Sequence, residues 1–143
     1  MNRYIALLRG INVGGNNPMP MKDLKAVFEE NSCEAVSTYI NSGNVLFSSH
    51  VADGIALQNS IQDWISGRFG LVISLAVLTC DDLVDALAHA PDWWDGDPQS
   101  KHNAIFVLPP TMPEAVLAEV GPHKPDYERV AAYGQVIFWS API

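Results

Sequence analysis

Apolar residues fall into short runs and helical stripes whose succession outlines the chain. Residues 4–8 (YIALL) form a continuous apolar run, the signature of a strand buried on both faces, so both sides of its sheet need cover. Met21, Leu24, Val27 and Phe28 then recur at helical spacing and stop at Asn31 and Ser32, which predicts a first helix. Residues 36–40 and 45–47 are β-rich runs on either side of Asn41-Ser42-Gly43-Asn44, a composition that closes a hairpin. Asp53 is placed to cap a second helix with an apolar face of Leu57, Ile61, Trp64, Ile65 and Phe69, ending at Gly70, and residues 71–78 follow as a fourth strand. Strand, helix, strand, strand, helix, strand is the order of a split βαβ, or ferredoxin-like, half spanning residues 1–79.

The pattern then starts again. Thr79 is placed to cap a third helix with Leu83, Ala86, Leu87 and Ala90 inward and Asp82 as the acid of a capping box, and Pro91 ends it. A polar loop with Trp93 and Trp94 leads into a strand at 104–108. Thr111-Met112-Pro113-Glu114 reads as a capping box opening a short helix to Val120, with Gly121 past its end. Residues 127–132 and 135–139 make a last hairpin around Tyr133-Gly134. The fold class is therefore α+β: a ferredoxin-like half followed by a second half, residues 80–143, that lacks one helix and one strand of the repeat. The repeat lies in element order, not in residue identity. With no long linker between them, the halves are expected to pack together, the second covering the sheet of the first. Residues 135–139 are apolar on both faces and contain no lysine or proline, so they read as an unprotected edge through which two copies would pair as a homodimer.

Composition narrows the class. With 143 residues, 48% hydrophobic and 17% charged, the chain has the make-up of a folded protein with one ordinary core or two small ones. Eight Lys/Arg against sixteen Asp/Glu leave a net charge of −8, which repels phosphate backbones and argues against duplex nucleic acid as the partner. The only two cysteines, Cys33 and Cys80, lie far apart and no signal peptide precedes them, so two free, buried thiols in a cytoplasmic protein are expected. No apolar run approaches the ~20 residues that span a bilayer, and a membrane role is not expected.

Candidate chemistry gathers at one rim. In a split βαβ the loop after the first strand and the hairpin between the second and third lie at the same end of the sheet. Arg9, Gly10, Asn12, Gly14, Gly15 and Asn16, then Lys22, and the hairpin residues Asn41, Ser42 and Asn44 would meet there, with Lys25 and Arg68 nearby. Exposed amides, a helix N-terminus and positive charge suit a small anionic or polar ligand. Turn chemistry alone also accounts for these glycines and asparagines. GINVGGN is not a P-loop, since no Lys-Ser or Lys-Thr follows, and Asn12 stands where a dinucleotide fingerprint needs its second glycine. Ser42 lacks the flanks of a nucleophile elbow. The four histidines are scattered, so no metal site is expected, and Asp92, Asp95 and Asp97 lack calcium-loop spacing. No catalytic residue or cofactor is assigned, which leaves two classes: a binding protein or enzyme that uses the rim, or a non-catalytic protein-interaction or nucleic-acid-associated module that uses its sheet faces.

YIALLRGINVGG, the following P-M-x-x-L-K segment and TYINSGNVLF closely resemble the bacterial domain-of-unknown-function family 1697. The likeness is strongest over the first fifty residues and thereafter rests on element order and the terminal hairpin ending in Pro142. It implies two ferredoxin-like halves and no established activity. Members of that family usually continue through a basic segment into an R-N-W-N-T-like motif and a final helix, which this sequence does not contain.

Overall fold

In the computed structural model, which describes residues 1–12, 15, 17–39, 43–108, 111–121 and 128–142, the local signals of the sequence become elements in the expected order. Strand β1 (Asn2–Leu8) leads to α1 (Met21–Glu30), β2 (Glu34–Tyr39), β3 (Asn44–Ser49), α2 (Gly54–Phe69) and β4 (Leu75–Thr79). The Asp53 carboxylate accepts the Ile55 and Ala56 amides at 3.0 and 3.2 Å and so starts α2, while Gly70, with φ +66°, ends it. Helix α3 (Cys80–Ala88), β5 (Ser100–Phe106), α4 (Pro113–Val120), β6 (Arg129–Tyr133) and β7 (Val136–Pro142) follow. The chain divides into two compact units, Met1–Asp81 and Asp82–Ile143.

The first unit is a four-stranded antiparallel sheet in the order β2-β3-β1-β4, the arrangement of a split βαβ. Helix α1 packs on β2 and α2 on β4, and together they bury one sheet face. Tyr4, Ala6, Leu8, Val45, Phe47, Leu75 and Val77 meet Leu24, Phe28, Leu57, Ile61 and Ile65 there. Burial along β1 alternates, with Ile5 and Leu7 of the opposite face half-buried. Strand β4 starts at Leu75, later than expected, because its pairing with β1 ends at Leu8 opposite Leu75, where β1 turns away. Trp64 is half-buried, its ring edge-on to Phe28 at 5.9 Å, and not a fully enclosed core residue.

The second unit is a three-stranded antiparallel sheet in the order β5-β7-β6. This matches β1-β3-β2 of the first unit, and α4 packs on β6 as α1 packs on β2. Residues 135–139 are therefore not an edge: β7 pairs with β5 from Ser100↔Pro142 to Phe106↔Val136 and with β6 from Arg129↔Ser140 to Tyr133↔Val136. The physical reason lies in the sequence, since a run apolar on both faces belongs inside a sheet. Homodimer pairing through that strand has no free ladder to use.

Smaller corrections are local. Only Ala86 of α3 is buried, and Leu87 is exposed, because the Val136/Phe138 face of the second sheet is filled largely by Trp93 and Trp94. Helix α4 has Met112 as N-cap with no side-chain capping bond: Pro113 opens the helix one residue later than a box built on Thr111 requires. Strand β5 begins at Ser100, not 104, and the last turn is Gly134-Gln135 because Tyr133 already pairs with Val136. Cys33 is buried and Cys80 half-buried, both free. Tyr127 lies outside the described residues, and among those described no helix is long and apolar enough to cross a membrane.

Candidate functional site

Three segments converge at the end of β1. The Leu8 amide donates to the Gly43 carbonyl and the Arg9 amide to the Ser74 carbonyl, both at 2.9 Å. Two consecutive residues thus tie the hairpin between β2 and β3 and the α2–β4 connection to the start of the first loop. The hairpin presses on that loop as well, for a Cβ at Gly43, where φ is +92°, would stand 2.8 Å from the Ile11 Cδ1. Ile11 is fully buried and anchors the loop in the core.

Asparagines organise the rest. Asn12 (φ +54°) holds the Met19 backbone on both sides, its Oδ1 accepting the Met19 amide at 2.7 Å and its Nδ2 donating to the Met19 carbonyl at 2.8 Å. The Asn12 amide donates to the Asn17 carbonyl at 3.2 Å, and the Asn17 Nδ2 donates to the Gly10 carbonyl at 3.0 Å. Asn44 Nδ2 closes the hairpin on the Tyr39 carbonyl at 3.0 Å. Asn12, Asn17 and Asn44 therefore have structural work, which the turn reading of the sequence anticipated.

Of the rim residues named from sequence, Arg9, Gly10, Gly15 and Lys22 are exposed, as are Lys25 and Arg68. Gly14, Asn16, Asn41 and Ser42 lie outside the described residues. Helix α1 starts at this rim with Pro20 as N-cap and no side-chain capping bond. Among the described residues no group of three His, Cys, Asp or Glu could hold a metal ion.

The second unit holds features that sequence reading did not isolate. His102 bridges two segments, its Nδ1 at the buried Ser140 hydroxyl and its Nε2 at the Asp97 carbonyl, 2.8 Å away. The Gln99 amide and the Ser100 hydroxyl hold the Asp97 carboxyl below its ordinary pKa, so this acid closes a turn. Tyr133 donates to Asp85 at 2.9 Å, a bond that raises the phenol's pKa, and stacks on His89. A cavity of about 530 Å³ opens between α4 and the other sheet face, lined by Val116, Val120, Ile105, Ile137, Trp139 and Glu128 among others. Its signal in the sequence is the second apolar face of 136–139, to which Ile105 adds by cross-strand pairing with Ile137.

No curated protein sequence matches this chain. The chain is similar in structure to the conserved bacterial protein SP0830 from Streptococcus pneumoniae, with 28% identity and a TM-score of 0.85 over 99% of this chain and 78% of that one. A family model described as a protein of unknown function, DUF1697, matches residues 1–138. Coverage of nearly the whole chain settles its kinship: the chain belongs to the DUF1697 family, whose function is unnamed.

Proposed function

We propose that the first unit binds a small anionic or polar molecule at the rim of its sheet, between the Arg9–Asn17 loop and the hairpin around Gly43. The observation that carries this reading is the pair of 2.9 Å backbone bonds from Leu8 and Arg9, which draw three connections to the place where Arg9 and Lys22 are exposed. Cations in a chain of net charge −8 are scarce, and a rim that gathers several of them attracts anions locally against the field of the whole. The uncapped start of α1 adds amide donors of the same sign. The buried Ile11 and the bonds between Asn12, Met19 and Asn17 brace the described ends of that loop, which lowers the ordering cost of binding there. Among the described rim residues nothing has the geometry of a nucleophile with its base, so the reading is one of binding.

The test is an amide-resolved NMR titration with inorganic phosphate, sugar phosphates and nucleotides. Shifts at Arg9, Gly10, Gly15 and Lys22 that shrink at least tenfold in apparent affinity on Arg9→Ala support the reading. Shifts confined to residues after Thr79 overturn it.

A further inference from the structure

Cross-strand register places four residues in one row at the rim of the first sheet, on the face away from α1 and α2. Tyr39 of β2 stands opposite Asn44 of β3, Asn44 opposite Leu7 of β1, and Leu7 opposite Ala76 of β4. Paired residues share a face, and it is Val45 and Leu8, one step along, that enter the core below the helices. Exposure rises along the row: Ala76 is buried, Leu7 and Asn44 are half-buried, and Tyr39 is 68% exposed. Among the described residues no other Phe, Tyr or Trp is exposed. The first unit already has all six elements of a split βαβ, so its own element order leaves nothing to cover this ring.

Arg9 lies two residues beyond Leu7, and its amide still pairs with the Ser74 carbonyl. Strand alternation therefore carries its exposed side chain to the face that holds Leu7 and Tyr39. An exposed ring and an exposed guanidinium thus share one rim, with the half-buried Leu7 between them. Two strand spacings, about 10 Å, separate β2 from β1. That gap is too wide for one inorganic anion to touch both ends, and it matches a base joined through a sugar to a single phosphate. Resting on the anion site proposed above, we infer that its ligand is a nucleoside monophosphate, with the base stacked on Tyr39 and the phosphate held by Arg9. An aromatic face stacks on any base, and a guanidinium pairs bidentately with phosphate oxygens. A free mononucleotide is favoured over a strand, because a net charge of −8 repels each further phosphate.

The whole isotope-labelled chain is titrated with adenosine and uridine monophosphates (AMP and UMP), adenosine, ribose 5-phosphate and a single-stranded tetranucleotide. The AMP and ribose 5-phosphate series are repeated on Tyr39→Leu, Tyr39→Phe and Arg9→Ala. Both mononucleotides should move the Tyr39 ring protons upfield, shift the amides of Ser37, Leu46 and Arg9, and bind at least about tenfold tighter than adenosine or ribose 5-phosphate. Tyr39→Leu should weaken AMP by about tenfold or more and leave ribose 5-phosphate unchanged, whereas Tyr39→Phe keeps AMP affinity within about twofold. Position 39 is exposed, so these variants keep the fold, and unchanged amides in the cores of β1 and β3 check it. Ribose 5-phosphate binding as tightly as AMP, or AMP binding indifferent to Tyr39→Leu, overturns the stacked base while shifts at Arg9 still uphold the anion site. Adenosine binding as tightly as AMP and indifferent to Arg9→Ala overturns both readings, as does a complete absence of shifts. A tetranucleotide that binds tighter than AMP overturns the inference in favour of single-stranded nucleic acid.

Discussion

A methyl group at position 43 would stand 2.8 Å from both the Ile11 Cδ1 and the Leu8 Cβ, on a backbone with φ +92°. Gly43→Ala is therefore expected to cost about 2–4 kcal/mol, from the disfavoured backbone together with overpacking. Gly70→Ala, where φ is +66° and nothing lies within 4 Å of the new carbon, should cost only about 1–2 kcal/mol. Urea midpoints of the two variants separate the contributions. Trp64→Ala should cost about 2–3 kcal/mol, less than a fully enclosed aromatic, because its ring is half-buried. Burial pushes the Cys33 thiol up to about 11. The folded chain keeps this thiol neutral while the unfolded chain ionises near the ordinary value, so its contribution is complete below that value and is lost as pH rises toward 11. Stability should fall by up to about 1.4 kcal/mol for each pH unit in that window. Denaturation series on the native chain and Cys33→Ala should show a flatter slope in the variant. Tyr133 titrates upward in both and does not alter the comparison.

Elements written in local chemistry were legible in the sequence; those decided by neighbours were not. Asp53 and Gly70 bracket α2 by bonds that reach two to four residues, and the stripe from Leu24 to Phe28 announces α1 by spacing alone. Strand order is a property of pairs far apart in the chain. The run Val136–Trp139 contained the information in its two apolar faces, the same cue that marked β1 as internal, but composition alone also fits an edge. At the candidate site, the meeting of loop and hairpin followed from topology, whereas the hold of Asn12 on Met19 depends on a left-handed backbone that spacing does not reveal. With β7 central, its amides should outlast those of β6 and of the outer side of β5 in hydrogen exchange. Faster exchange along 136–140 than along 100–106 would contradict this strand order.

At the scale of the molecule, the two units differ in how much they bury. The first encloses Tyr4, Phe28, Phe47 and a large set of aliphatic side chains below its helices, while among the described residues the second buries a shorter set, Ala86, Val107, Val136, Ile137, Phe138 and Ala141, with aromatic neighbours half-covered. Opening free energies follow enclosed apolar contact. Native-state hydrogen exchange in rising denaturant should therefore find residues 100–142 opening at lower free energy than β1, β3 and β4, and a single common value for both units would refute this. The central position of β7 also bears on synthesis. Among the described residues β5 and β6 pair with no strand but β7, so while the chain emerges from a ribosome the first unit can close early, but β5 and β6 have no ladder until β7 appears. Until then Phe106, Trp93 and Trp94 await their partner Phe138, a window in which the nascent segment is exposed to chaperones and to aggregation. Ending translation at Gln135 would remove every ladder of the second sheet at once, which limited proteolysis would report as rapid cleavage after residue 82 beside an intact first unit.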